Sequence, residues 1–356
     1  VAGLRRQEMK MFDFPYTGLD LTQEVNRLPN EFGLLNALGV APVETKASRF
    51  VRVDYRNGQI FVLSAEEPGS PASIGDTESE GGVILQIPHF PHFEKIAVGD
   101  LDGLLQVMNG VVDARSLDRE TFRKLDLIRK NHSITLEYIR LGMLKGLIKD
   151  GKGRTLYDLY SVFGIVKKEV DFVLGTEATD VREKCEEVVD HVQSNLLGET
   201  TTGIESIVDT KFFGKFISHP KVEKFWLNAQ NSTEHRVLSR MNVAGNWGRV
   251  FEFGGIVFRE YKGSLPLRAS NGTITTEKNV ADNSGTAYPT GTQSMMRTFE
   301  APVLHVDMVN EEPDADTIYI SVEQLKHGAG VEMLSQTNRI AINKQPECVV
   351  QVKTSN

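Results

Sequence analysis

Between Ser116 and Asp150 the apolar positions recur at helical spacing. Leu125, Ile128, Leu136, Ile139, Met143 and Leu147 form one stripe, with Ile134, Leu141, Leu144 and Ile148 beside it. The stretch holds no proline, and its pattern predicts one long amphipathic helix over 116–150. Ser116 or Asp118 can cap its start, Asp118 and Glu120 face the positive end of its dipole, and Gly151 and Gly153 stop it. At 1.5 Å per residue it would run roughly 50 Å, long enough to span a body rather than sit inside one.

Upstream the pattern is weaker. Residues 1–47 mix polar patches with Phe12, Phe14, Tyr16, Leu19, Leu21 and Phe32-Gly-Leu-Leu, broken by Pro15, Pro29 and Pro42. Two readings fit: a poorly ordered terminus with a short helix or two, or an aromatic arm that docks on something such as another subunit. From 49 to 56, Val51, Val53 and Tyr55 alternate with Arg52, Asp54 and Arg56, a period of two that predicts a strand. Asn57-Gly58 fits a tight turn, and Gln59 to Leu63 returns as the partner strand. Residues 65–82 are proline, glycine, serine and acids, a polar tip; Val83 to Ile87 is a further strand closed by Pro88 and Pro91. A hairpin with so little apolar mass is marginal alone and needs a neighbour to lie on.

Downstream, Thr155 to Phe163 reads as a strand or hairpin arm, with Glu169 to Leu174 as its return. Asp180-x-x-Glu183 opens a second helix over 181–197, with Val181, Cys185, Val188, Val189, Val192 and Leu196 as its buried stripe and Gly198 as its end. A strand at 204–208, a short helix from Lys211 to Ser218, another from Pro220 through Leu227, and two strand pieces around Gly254-Gly255 follow. Residues 263–294, rich in Gly, Ser, Thr and Asn, predict a long surface loop. Val303–Val306, Thr317–Val322, Arg339–Ile342 and Val349–Val352 are strand-like again, and can pair with the strands after the long helix.

Composition narrows the function classes. A chain of 356 residues suffices for about two domains. The net charge of −8 argues against gripping nucleic acid over the whole surface, since a direct binder should be basic. Apolar runs such as Val83-Ile84-Leu85 are too short to span a membrane, and no charged-then-apolar leader signals secretion. Cys185 and Cys348, far apart and outside CxxC spacing, read as reduced, mostly buried thiols.

Motifs of chemistry are scarce. The glycine-rich phosphate loops GxxxxGK[ST] and GxGxxG and the nucleophile elbow GxSxG are missing. His89 and His92 have HxxH spacing, but in an extended segment positions three apart face opposite ways, and no third ligand is identifiable. His219, before Pro220, reads as a helix-start or packing residue. Glu311, Glu312, Asp314 and Asp316 lack the Gly and distal Glu of a calcium loop and read as a solvated turn. Glu186, Glu187 and Glu199 read as ordinary exposed helix charges, and Asn231-Ser-Thr and Asn271-Gly-Thr carry no weight as glycosylation sites without a secretory signal. No catalytic, cofactor-binding or metal-binding residue is expected.

Against this background the stretch HSITLEYIRLGMLKGLIKDGKGRTLYDLYSVFG (132–164) resembles the signature of the lambda-type major capsid protein E family of tailed bacteriophages. IPHFPHFEKIAVGDLDG (87–103), VDFVLGTEATDVREKC (170–185), FFGKFISHPKVEKFW (212–226), FEFGGIVFREYKG (251–263) and KHGAGVEMLSQTNRIAINKQPECVVQV (326–352) resemble it in the same order. The resemblance implies an α+β, HK97-like capsid fold. It divides the chain into an N-terminal arm (1–47), an extended β-hairpin loop or E-loop (48–96), a peripheral domain (97–176) with the spine helix 116–150, an axial domain (177–300), and a return to the peripheral domain (301–356). It also implies a major capsid protein that self-assembles through hexamers and pentamers into an icosahedral virion shell, built in the host bacterial cytoplasm. The implied partners are further copies of the chain, a scaffold or protease, a portal and a decoration protein; the shell encloses double-stranded DNA without specific binding and uses no membrane and no cofactor. Phe61, Phe90, Phe93 and the aromatics of 12–16 are candidate inter-subunit anchors.

Two departures from the family stand out: the long polar stretch 263–294, which would meet a decoration protein or a symmetry axis, and a basic leader with Arg5, Arg6 and Lys10 ahead of the usual start near Met11. Some shells of this fold are welded between a Lys of the extended loop and a neighbouring Asn. No lysine lies between Lys46 and Lys95 here, so no such cross-link is expected. The alternatives are a prophage-derived shell of the same fold that encloses protein cargo, and a metal-dependent hydrolase using His89, His92 and the acids near 311–316.

Overall fold

The structure, a computed structural model, describes residues 14–28, 33–55, 81–97, 100, 114–196, 198–230, 248–268, 271–308 and 311–356. The first half of the chain gives α1 (Gly18–Arg27), α2 (Leu34–Leu38), β1 (Val43–Thr45), β2 (Phe50–Tyr55), β3 (Gly81–Gln86), β4 (His89–Ala97), the long helix α3 (Ala114–Lys145), β5 (Leu147–Lys149), β6 (Thr155–Asp158), α4 (Leu159–Phe163) and β7 (Lys168–Asp171). Then come α5 (Val181–Ser194), β8 (Gly203–Val208), α6 (Thr210–Ile217), α7 (Pro220–Gln230), β9 (Val250–Phe253), β10 (Ile256–Glu260), β11 (Ser264–Arg268) and β12 (Ile274–Lys278). The last strands are β13 (Ser284–Thr290), β14 (Met296–Ala301), β15 (Tyr319–Gln324), β16 (Gly330–Asn343) and β17 (Val350–Lys353).

Helix α3 has 32 residues, about 48 Å at the usual rise. It stops before Asp150, where the apolar period alone would end it. Gly146 takes the left-handed conformation (φ +76°), and its N–H bonds back to the carbonyl of Met143. Leu147 and Ile148 continue the apolar pattern as the strand β5, paired with β6. The partner of 155–158 is therefore β5, and residues 168–171 join a different sheet, contrary to the hairpin expected between them.

Two sheets flank the helix. In the first, β14 and β15 pair antiparallel with successive parts of β16, β4 pairs antiparallel with β16, and β1 pairs parallel with β14. Every residue of β16 from Ser335 to Asn343 is buried, so it lacks the in–out alternation of a solvent-facing strand. Helix α3 packs on it. In the second sheet the order is β7-β17-β13-β8-β10-β9. Phe172, Phe212, Phe216, Phe251, Phe253 and Phe258 fill its core together with the buried stripe of α5, Val181, Cys185, Val188 and Val192; Phe216 and Phe258 meet at 4.4 Å between ring centroids. Asp180 caps α5 through the N–H groups of Arg182 and Glu183.

Several sequence expectations change. The supposed loop 263–294 holds the β11–β12 hairpin and β13, which runs through the middle of the second sheet. Its small residues mark close packing: a Cβ on Gly285 would sit 2.7 Å from the Ile207 carbonyl oxygen and 2.5 Å from the Val208 side chain. The helix expected to reach 197 ends at Ser194. Of the C-terminal strands, Val303–Val306 forms no ladder; β17 pairs with β7 after the long helix, as expected, while β15 and β16 join β4 and β14, the last from before residue 301, in the first sheet. Pro91 does not close a strand but lies within β4, where, among the described residues, only β16 pairs with it; proline is tolerated on such an edge. The strand found opposite β2 is β3, in register from Phe50↔Gln86 to Tyr55↔Gly81. The expected turn and return strand at 57–63 lie outside the described residues.

Candidate assembly surfaces

The ribbon β2–β3 has two unlike faces, as its alternation requires. Val51, Val53, Leu85 and the following Ile87 are buried, while Phe50, Arg52, Ile84 and Gln86 point outward. Phe50 and Ile84 are 59% and 68% exposed. Beside the ribbon runs the unpaired segment 302–306, with Leu304 55% and Val306 88% exposed. Between them lies an open groove of about 480 Å³, walled by 47–50 on one side and 302–306 on the other. Large apolar groups open to water and lining one groove mark an interaction surface rather than scattered surface leucines.

The proposed anchors divide. Phe93 on β4 is exposed, as are Phe122 on α3 and Phe225 on α7. Phe90 packs partly against the main core instead. Phe61 and Phe12 lie outside the described residues. Phe14 and Tyr16 are not free for a neighbour. Their rings meet edge to face at 5.5 Å, Phe14 joins the core with Leu21, Val25, Leu117, Leu125 and Ile128, and the Tyr16 phenol donates to Asp118. From Phe14 onward the terminal segment docks, but on its own subunit's long helix.

Behind these surfaces sits a buried charge network that the sequence pattern did not reveal. Arg339, on the fully buried half of β16, pairs with Glu300 of β14 at 3.3 Å and with Asp316 at 3.2 Å. Arg129 of α3 reaches the same Asp316 at 2.7 Å. Burial pushes the Glu300 carboxyl up, and Arg339 pulls it back. Asp316 does lie in a turn and is 29% exposed, but its carboxylate is paired rather than left to water. It stands in the left-handed region (φ +58°) between two guanidinium groups, with its own N–H donated to Glu300 at 2.7 Å. Next to the network, His132 of α3 is fully enclosed, its Nε2 3.0 Å from the Ser335 hydroxyl and its Nδ1 3.1 Å from that of Thr337. Burial, reinforced by Arg339, His92 and Arg129, holds its imidazole well below the usual range.

The other sequence candidates fall apart as sites. His89 bonds Asn338 at 2.6 Å, while His92 faces Glu94 and Asn131, each at 3.2 Å. The acids at 311–316 do not approach this pair in any cluster: among the described residues no group of three or more His, Cys, Asp or Glu side chains could hold a metal ion. His219 is buried at the start of α7, its Nε2–H donating to the Thr176 carbonyl at 3.1 Å. Glu199 is not a helix residue; its carboxylate accepts from the N–H groups of Gln293 and Ser294. Cys185 and Cys348 are free and buried, and burial pushes each thiol up to about 12. Among the described residues no helix is long and apolar enough to cross a membrane.

A spine-length helix against one sheet, a second sheet with its own aromatic core, and a two-stranded ribbon packed by one face on the main core define a subunit of the HK97-like capsid fold. A crystal structure described as a capsid protein of a prophage of E. coli CFT073 superposes with a TM-score of 0.60 at 12% identity, covering 96% of this chain and 99% of that one. The chain belongs to the phage major capsid protein E family, whose model matches residues 19–354. It is 28% identical over 355 residues to the major capsid protein of Pseudomonas phage KPP10, covering 96% of this chain and 97% of that protein. To the major capsid protein of Salmonella phage Felix O1 it is 26% identical over 283 residues, 76% of each chain. It is accordingly a structural subunit of a tailed-phage head and part of the virion, and it assembles with copies of itself into a multi-subunit capsid.

Proposed function

We propose that the subunit's work is wholly geometric, with no enzymatic activity of its own. The segment 48–88, whose described part is the ribbon β2–β3, acts as the extended loop lying over the next subunit, and the long helix with the first sheet, β4 included, acts as the peripheral body. Residues 177–300 without β14, joined by β7 and β17, act as the axial part that meets its copies around five-fold and six-fold centres. Hexamers and pentamers then close into an icosahedral shell around double-stranded DNA during assembly in the bacterial cytoplasm, with a scaffold or protease, a portal and a decoration protein as partners. The hairpin β11–β12 is the natural contact for a decoration protein or a symmetry axis.

The observation that carries this reading is the exposed apolar set at the base of the ribbon: Phe50, Leu304 and Val306 around one groove. Permanent interfaces bury on the order of 2,000 Å² or more and rest on such apolar anchors. The acidic balance of the chain suits a wall that encloses DNA without holding its phosphates. The test is the pair Leu304→Asp and Val306→Asp. Folded subunits that no longer form particles support the reading, and particles of unchanged yield from both variants contradict it.

A further inference from the structure

The C-terminal end of the long helix walls a second cavity, of about 250 Å³, where α3 and β5 meet β12 and β13. Its charged lining is unbalanced. Lys145 at the end of α3, Lys149 on β5 and Lys167 before β7 face a single carboxylate, Glu277 of β12. That carboxylate is already engaged: it accepts from the Tyr138 phenol at 2.9 Å and lies 3.7 Å from the Lys149 ammonium. Lys145 and Lys167 have no carboxylate within ion-pair distance among the described residues, although both are only partly exposed. The Lys167 ammonium instead lies 5.9 Å over the Tyr160 ring. Burial holds both ammonium groups below the usual lysine range; Glu277 draws Lys145 back up while Lys149 and Lys167 push it further down, and the more distant Glu169 and Asp158 draw Lys167 back up.

A partly enclosed site with three cations and one committed anion lacks negative charge, and a half-buried ammonium without a counter-ion is costly. We propose that this cavity binds a small oxyanion of the phosphate class, held by Lys145 and Lys167 with Lys149 shared between the ligand and Glu277. The space admits a phosphate ion with a few waters. The phosphates of a DNA duplex, carried on a rod much wider than the cavity, cannot enter it, so the source is free phosphate. A bound anion would tie the end of the long helix to the second sheet and relieve the repulsion among the lysines.

The experiment titrates the full chain with inorganic phosphate at constant ionic strength, chloride being the compensating ion, and follows the unfolding midpoint and the ³¹P line width. The proposal expects a saturable rise of the midpoint that chloride does not reproduce. Lys145→Met with Lys167→Met, which keeps most of the stem packing, should weaken phosphate affinity by at least about tenfold. Glu277→Gln should tighten it severalfold, because the competing carboxylate is gone. A duplex without terminal phosphates should not compete; if it does, with the same ranking of variants, a phosphodiester rather than the free ion is the source of the same group. A midpoint that follows ionic strength alone, or an unchanged response in the double variant, overturns the proposal. If the double variant does not fold, Glu277→Gln decides: no tightening overturns it.

Discussion

The phenol of Tyr261, just beyond β10 in the second sheet, donates at 2.9 Å to Oε1 of Glu137 in the middle of the long helix. The same carboxylate accepts from the backbone N–H groups of Leu35 and Asn36 at the start of α2, each at 2.9 Å. Glu137 is fully buried, so three segments distant in sequence meet on one carboxyl out of water. Burial pushes that carboxyl up, and the two N–H groups and the phenol pull it back. The junction fixes how the terminal segment, the helix and the second sheet sit together, which a shell-forming subunit must reproduce in every copy.

Removing one member of this junction should cost stability in proportion to what is left unsatisfied. Tyr261→Phe is expected to destabilise the subunit by about 1 kcal/mol. Glu137→Leu, which orphans two backbone N–H groups and a phenol, should cost about 3 kcal/mol or more. Urea unfolding with an unchanged slope measures both. A Glu137→Leu loss below about 0.5 kcal/mol would show that the carboxyl is incidental to the fold.

The Arg339 network should be strongly non-additive. Arg339→Met or Glu300→Met alone leaves a buried charge short of a partner and is expected to cost about 3–5 kcal/mol. The double change to Met removes both members of that pair and should cost clearly less than the sum of the two. A double-mutant cycle in urea reads this directly; simple additivity would contradict the coupling inferred from the 3.3 Å contact.

His132 should make stability depend on pH in one direction. Its native imidazole stays neutral well below 6.5, whereas the unfolded residue takes up a proton near that value. The stabilisation from keeping it neutral is therefore complete above pH 6.5 and lost as pH falls through 6.5 toward the depressed native value. Glu137 and Glu300, both raised, act in the opposite sense: their contribution is full below about 4.5 and lost as pH rises through their native values. The informative quantity is thus the difference between wild type and His132→Gln. Between pH 6 and 5 the wild type should lose up to about 1.4 kcal/mol per pH unit more than the variant. Parallel curves would contradict the buried neutral assignment.

Mature particles should show no covalent ladder on a denaturing gel, because the extended-loop region offers no lysine between Lys46 and Lys95. Bands at multiples of the subunit mass that survive boiling and reduction would contradict this.

Much of this organisation can be read from sequence, and the misses have physical causes. The stripe of Leu125, Ile128, Leu136 and Ile139 forces a helix, but Leu147 and Ile148 keep the same period, and periodicity cannot tell that Gly146 turns them into a strand. β13 reads as loop because its residues are small, yet Gly285 must be small for the backbone of Ile207 to come so close. The strand-like stretch Arg339–Ile342 was legible, whereas the burial of its arginine was not, since Glu300 and Asp316 reach it only through tertiary pairing. His89 and His92, three apart in an extended strand, turn to different partners, Asn338 and Glu94, as extended geometry requires. The three lysines of the second cavity look like ordinary surface charges until β5 folds back beside the helix end.

The central claim, a subunit built to close with its copies into a shell, is tested most directly by sizing the expressed full-length protein by sedimentation and negative-stain microscopy. Closed shells, or rings of five and six subunits, are the predicted result. A monodisperse monomer or dimer at high concentration, unchanged by a scaffold, would contradict it.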